Sequence, residues 1–327
     1  MGTHTKRDPY FDNARFILIF LVVIGHMISP YRHDNQLLNT IYKFIYTFHM
    51  PGFILIAGYF AKNVFKKGYI QKLTKKLLLP YLIFQVIFSC FFVVVEGEEG
   101  FTLFDPEWTL WFLLSLLGWH LLLLVFARIP YALTIALLIG LFIGMVPMVG
   151  TYLSLSRTFV FFPIFLLGYK LKKEHFAALR DPTYQKAALF LLIGLFISYH
   201  TILSDLTTDW LLASSSYTDI GVDETYGVWM RLFIYGVVFL STFSVLSLIP
   251  NRRFAFTDLG GRTLYIYLLH GLVIKILDLT PIFERITQTG QLWLFLVLSI
   301  TLTILLGSRP VTKSTKPLIE PYRIFNN

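Results

Sequence analysis

Cysteine is almost absent. Cys90 is the one thiol in 327 residues, which excludes a disulfide framework and any thiolate metal cluster. It lies inside an apolar run and reads as packing. Charge is scarce as well, at 14% of residues against 56% hydrophobic, and no long polar segment separates the apolar runs. With a mean hydropathy of +0.66, this balance excludes an ordinary water-soluble globular chain. Low-complexity tracts and internal repeats are missing. Histidine and carboxylate spacings form no metal site, so no metal is expected. The first apolar stretch is not followed by a small-residue cleavage site, so it is expected to stay as a helix and not to leave as a signal peptide. The net charge of +9 resides in short basic clusters between apolar runs. Orientation in a membrane accounts for such clusters, and nucleic-acid binding is excluded on that ground.

What is present is a series of apolar stretches of roughly 17 to 25 residues, the length that spans a bilayer as a helix. Helices are expected near residues 14–30, 40–61, 77–95, 109–127, 131–149, 156–171, 187–203, 226–249, 263–280 and 291–307. The densest basic clusters, Lys62 to Lys76 and Lys170 to Lys186, follow the second and sixth of these stretches, whereas the loops with Glu96, Glu98, Glu99, Asp105 and Glu107 and with Asp205 to Glu224 contain no Lys or Arg. An even count places both tails, about residues 1–13 and 308–327, on the basic side, which is the cytoplasm by the positive-inside rule. The expected class is an all-α integral membrane protein of about ten transmembrane helices, multi-pass in the cell membrane, a bacterial plasma membrane. One membrane domain over residues 1–327 is expected, with both termini cytoplasmic and no appended soluble domain.

Function is sought where polar groups persist inside the spans, because a charge at bilayer depth costs roughly 2.5 kcal/mol or more. In the first stretch Arg15 and His26 are separated by ten apolar or small residues. Eleven helical steps return His26 to within about 20° of the Arg15 face, about 16 Å along the axis. One polar stripe results. Arg15 taken alone equally reads as a snorkelling anchor, Asp12 or Asn13 as the helix N-cap, and His26 as an interhelical contact. In the second stretch His49 stands at the depth of His26, two residues before Pro51. The proline removes a backbone donor and frees the Thr47 carbonyl, so a kink is expected there.

Several motifs occur in a set order: Arg15 with His26, Phe48-His49-Met50-Pro51, Gly58-Tyr59-Phe60, Lys72 to Tyr81, Leu110-Trp111-Phe112-Leu113, Phe161 to Tyr169, and Tyr265 to His270. As an ordered set they resemble the acyltransferase-3 family of membrane O-acyltransferases, in particular sugar O-acetylases related to fucose 4-O-acetylase. Where that family is Arg-rich before the equivalent of Pro80, this chain has Lys72, Lys75 and Lys76, which keep the charge without the bidentate fork.

The resemblance implies transfer of an acetyl or other acyl group from cytoplasmic acyl-CoA to a hydroxyl of a carbohydrate or cell-surface glycan. Acetyl-CoA is then a co-substrate, and no permanently bound cofactor is expected. His26 is the expected catalytic base, since an imidazole accepts protons near neutral pH. Arg15, Lys72, Lys75 and Lys76 are the expected donor-binding residues, although topology alone also accounts for the lysines. Trp111, Arg157, His49 and His270 are expected to line the acceptor site or a channel. Trp111 also fits an interfacial aromatic belt, and His49 and His270 also fit buried structural histidines. Arg231, Glu224 and Lys275 have no argument beyond charge. The expected partners are acyl-CoA, the glycan acceptor and the bilayer. The competing class is a transporter or exporter of a small organic anion or polyol, for which ten helices with a broken second one would also serve.

Overall fold

A helix needs its first amide groups satisfied before the apolar run can carry it, and the first helix begins where a cap allows it. In the computed structural model, which describes residues 8–97, 100 and 102–323, the Asp8 side chain accepts from the Tyr10 amide at 3.1 Å and Pro9 takes the first helical position. The helix therefore starts earlier than the apolar pattern alone indicates. The cap is Asp8, not Asp12 or Asn13, and these two lie inside the first turns, buried at 5% and 0% exposure. Glu98 and Glu99 of the expected acidic loop, and the outer parts of both tails, lie outside the described residues.

Each of the ten expected apolar stretches forms a helix: α1 Pro9–Ile28, α2 Gln36–Phe60, α3 Tyr69–Phe91, α4 Trp111–Phe126, α5 Ala132–Phe142, α6 Leu155–Lys170, α7 Pro182–His200, α8 Glu224–Leu248, α9 Thr263–Asp278 and α10 Trp293–Leu306. Gly68, at φ +75°, supplies the left-handed turn from which α3 starts. Helix α5 stops short of its expected end because Gly144, Pro147 and Gly150 break the run into 3₁₀ turns, Ile143–Met145 and Pro147–Val149. Helix α2 runs unbroken through Pro51, with the Thr47 hydroxyl held to Tyr199 Oη at 2.8 Å one turn earlier. Among the described residues there is no strand.

Among the described residues, five helical stretches are long and apolar enough to cross a membrane, and two bent pairs, broken by 70° and 66°, raise that to seven. Helices α4 and α5 are shorter apolar helices. Large apolar side chains stand outward, among them Phe190 at 76% and Trp229 at 67% exposure. Such a surface belongs in hydrocarbon, and the protein is an integral membrane protein. Cys90 is exposed on α3 and does not pack into the interior.

By its contacts the chain divides into two units. The first comprises Met1–Phe53, Phe176–Ser204 and Ser241–Thr315. Here α1 is packed against α9, α10 and the 3₁₀ segment Thr257–Arg262. Gly260 lets that segment touch the helix backbone, since a Cβ there would run into the Asp12 carbonyl oxygen. Asn13 Nδ2 donates to the Pro250 and Arg252 carbonyls at 2.9 and 2.8 Å, and Thr257 donates to Asn13 Oδ1 at 2.6 Å.

The second unit comprises Ile54–His175, Asp205–Leu240 and Lys316–Asn327, with α4 and α5 each packed on α6. Trp119 Nε1 donates to the Thr158 carbonyl at 2.7 Å. The part of α2 that belongs to this unit crosses α6 at backbone contact: a Cβ on Gly58 would overlap the Phe165 carbonyl, and one on Gly168 would overlap that of Leu55. Small residues at a crossing let helix backbones approach where no hydrophobic driving force acts between helices. Gly168→Val should therefore destabilise the fold by about 1–3 kcal/mol through overpacking. Gly194→Ala, on a helix with nothing within 4 Å of the added Cβ, should not. Thermal unfolding of both variants in detergent checks this pair of outcomes.

Candidate functional site

Helix α1 carries His26 into the first unit beside Gly25, where the missing side chain admits the Tyr46 ring. Tyr46 Oη is 3.4 Å from His26 Nδ1. The same tyrosine ring lies 4.6 Å, centroid to centroid, from His49 and 3.8 Å from Tyr42, on which it stacks. The Arg32 guanidinium covers the Tyr42 ring at 4.5 Å. From α9, the His270 ring comes within 5.3 Å of the His26 ring. Two of the predicted histidines thus flank one tyrosine, and the third reaches the cluster through His26.

Backbone carbonyls set the tautomers of two of them. His49 Nδ1 is 2.7 Å from the Ile45 carbonyl oxygen. His270 Nδ1 is 2.6 Å from that of Tyr267 and 3.1 Å from that of Ile266. A carbonyl oxygen only accepts, so each neutral ring carries its proton on Nδ1 and presents a lone pair at Nε2. His270 is fully buried, and its Nε2 has no hydrogen-bond partner. His26 is partly accessible. The His49 and His270 rings are therefore each able to accept a proton at Nε2.

Arg15 lies on the same helix about three turns from His26. Its Nη2 is paired with Asp12 Oδ1 at 2.7 Å, and its Nε donates to the Phe11 carbonyl at 3.2 Å. The guanidinium is therefore held along α1, with its side chain 26% exposed.

In the second unit, Lys72, Lys75 and Lys76 line an open pocket of about 750 Å³ at the start of α3, together with Tyr69, Gln71 and Tyr322. All three lysines are exposed. Tyr322 reaches the pocket because the 3₁₀ turn Pro321–Arg323 packs on α3. The result is a basic mouth with an aromatic side chain from each of two distant chain segments. His120 is buried below, its ring 5.8 Å from Tyr69.

Trp111 opens α4, and the Arg157 guanidinium lies 5.0 Å above its ring. Arg157 Nε also donates to the Leu212 carbonyl at 3.1 Å. These two predicted residues are in direct contact. Sequence reasoning missed Tyr46, Tyr322 and the burial of Arg231, which is 1% exposed. For Tyr46 a signal existed: Tyr42, Tyr46 and His49 recur at i, i+4 and i+7, which places them on one helix face. No local signal marks the other two, whose surroundings come from remote segments.

Comparison with known proteins bears on this arrangement. The model of the acyltransferase-3 family, described as an acyltransferase domain, matches residues 8–308. The nodulation protein NolL of Sinorhizobium fredii is 27% identical over 316 residues, covering 88% of this chain and 82% of that protein. Its namesake from Mesorhizobium japonicum is 40% identical over 88 residues, 25% of this chain and 23% of the relative. No solved structure matches. The family match takes in α1 with Arg15 and His26, the lysines of α3, the Trp111–Arg157 contact and His270, and so this membrane protein belongs to the acyltransferase-3 family.

Proposed function

We propose that the protein moves an acetyl group from cytoplasmic acetyl-CoA to a hydroxyl of a carbohydrate or cell-surface glycan. The observation that carries this reading is the cluster in which Tyr46 stands between His26 and His49 and His270 meets His26, with His26 on the helix that also bears Arg15. His26 takes the proton of the acceptor hydroxyl as its oxygen attacks the thioester carbonyl. The carbon–sulfur bond then breaks, and the imidazolium returns the proton to the departing thiolate. Tyr46 orients the His26 ring, and the lone pair of His270 favours a donor hydroxyl beside it. Family membership supports acyl transfer over export of a small solute.

The donor's phosphates need positive charge. Arg15 supplies one such site, about 16 Å from His26 along the helix, a distance of the order of the pantetheine arm. The pocket of Lys72, Lys75 and Lys76 supplies another, and its size falls in the range of small-molecule sites. Lysines act there as point charges without the arginine fork. Trp111 and Arg157 suit the acceptor, since an aromatic face borders sugar rings and a guanidinium positions hydroxyls.

For the membrane arrangement we propose ten crossings with both termini in the cytoplasm of a bacterial cell. The seven apolar stretches and bent pairs, together with α4, α5 and α7, supply ten helices, and an even count keeps the basic clusters on one side. Reporters placed near Lys66, Lys172 and in the C-terminal tail should read cytoplasm, and one near Asp209 should read outside. A C-terminal reporter on the outside rejects the count.

Alanine at Lys72, Lys75 and Lys76 together, or at Arg15, should weaken acetyl-CoA binding more than acceptor binding, and added salt should weaken it further. Titration calorimetry of the two variants apart tells which of the sites holds phosphate. For catalysis, His26→Gln keeps a polar group but cannot accept a proton, so acetyl transfer should fall by about 10²- to 10⁴-fold while donor binding persists. It should be the most damaging of the single histidine substitutions. Near-normal transfer by folded His26→Gln protein rejects His26 as the base.

A further inference from the structure

The most deeply buried arginine of the second unit belongs to none of the roles above. Arg231 lies about two turns into α8 and is 1% exposed. Its Nη1 donates to the Trp210 carbonyl at 3.0 Å. The guanidinium stands 5.4 Å from the Trp210 ring and 5.9 Å from the Tyr217 ring. Its remaining nitrogens, Nε and Nη2, are buried without a well-formed hydrogen bond, although the Tyr217 hydroxyl interacts with the guanidinium. Among the described residues no carboxylate pairs with it.

Neighbouring carboxylates in the chain are engaged elsewhere. Asp209 accepts from the Thr207 hydroxyl at 2.6 Å, Asp223 accepts from the Tyr226 amide at 3.0 Å, and Asp219 accepts from Ser216 in a capping box. The Ser216 bonds hold the exposed Asp219 carboxyl below the usual carboxylate range, so it stays ionised and committed to that cap. Arg231 cannot lose its proton. A buried cation left in this state weakens the fold, and an apolar side chain of similar volume would pack at lower cost.

The geometry of the unpartnered atoms is specific. Nε–H and Nη2–H lie on one edge of the guanidinium and point the same way, at the spacing of two oxygens of a carboxylate or phosphate. The Nη1 end is tied to Trp210, and the aromatic rings stand beside the group. Arg157 is fixed to the same segment, because the carbonyls of Trp210, Leu212 and Ala213 accept from Arg231, Arg157 and Ser156. Two permanent positive charges are thus anchored two residues apart on one short stretch of backbone.

We propose that the Nε–Nη2 edge of Arg231 seats an oxyanion of the acceptor, so that the glycan acetylated by this protein carries a carboxylate or a phosphate. The inference rests on the transferase reading for the word acceptor, and on Arg231 alone for the oxyanion. Arg157, over Trp111, adds charge to the same region and a surface for the sugar ring. A neutral polyol satisfies the two N–H groups but leaves the charge uncompensated.

The full-length protein in lipid nanodiscs is titrated with glucuronate, glucose 1-phosphate and glucose, with tryptophan fluorescence and thermal unfolding as readouts. Trp210, beside the guanidinium, serves as the internal reporter. The expected result is a saturable response to glucuronate or glucose 1-phosphate and none to glucose. Which of the two responds names the carboxylate or the phosphate as the source. Affinity should fall by about tenfold or more in Arg231→Gln, for loss of a bidentate charge-assisted contact, and less in Arg231→Lys, which keeps the charge. Should the glutamine variant not fold, the comparison of wild type with Arg231→Lys decides. Absence of response to both anions in the wild type, or equal affinity in wild type and variants, overturns the proposal. Acetylation of a neutral glycan by a protein deaf to both anions rejects the seat and keeps the transferase. Anion binding that depends on Arg231 without acetylation of any acceptor does the reverse.

Discussion

In hydrocarbon a helix satisfies its own backbone, and any polar side chain it carries must find a partner on another helix or in a ligand. That constraint organises the first unit around α1. Its opening turns bury Asn13, whose amide bridges to the carbonyls of Pro250 and Arg252 and receives the Thr257 hydroxyl. Gly260 brings the same 3₁₀ segment against the Asp12 backbone. The helix that carries His26 is therefore pinned at its beginning by polar bonds and close backbone contact, and along its length by Leu18, Ile19, Val22 and Val23, all nearly fully buried. A histidine on so fixed a helix has little freedom to wander.

The same constraint explains how the histidines are used. His49 and His270 each donate from Nδ1 to a carbonyl one helical turn or less behind them. A polar ring is thereby tolerated inside a helix bundle while its second nitrogen keeps a lone pair. Arg231 presents the complementary case: one end is tied to a carbonyl and rings stand near it, and two donors remain. Buried groups left incomplete by their own chain are the places where a substrate has something to complete.

Motifs shared with a family mix two kinds of residue, and the structure separates them. Gly58 and Gly168, which sit in two of the recurring aromatic motifs, are there because α2 and α6 meet backbone to backbone. Trp119 and Thr158 join α4 to α6 by a bond from indole to carbonyl, and the Thr158 hydroxyl adds one to Ser115. Those positions build the scaffold. His26, the lysine pocket and the Trp111–Arg157 contact present polar or charged atoms without an equivalent packing reason, and the chemistry is sought among them.

Membrane class, the ten helical stretches and the Arg15–His26 stripe were legible in the sequence, because hydropathy, helical period and charge are local properties that need no knowledge of neighbours. The motifs also placed the chain in its family. Where a helix starts was less legible: the apolar run pointed to Asp12 or Asn13, while a polar Asp8 and the φ of Pro9 set the true beginning. Only the tertiary structure decided that Tyr46 stands between two histidines, that His270 reaches His26 from a helix more than two hundred residues away, that Tyr322 closes on the lysines of α3, and that Arg231 is buried with one edge bare. Each of these depends on which remote segment packs against a side chain, and a sequence read one window at a time contains the residues but not their neighbours.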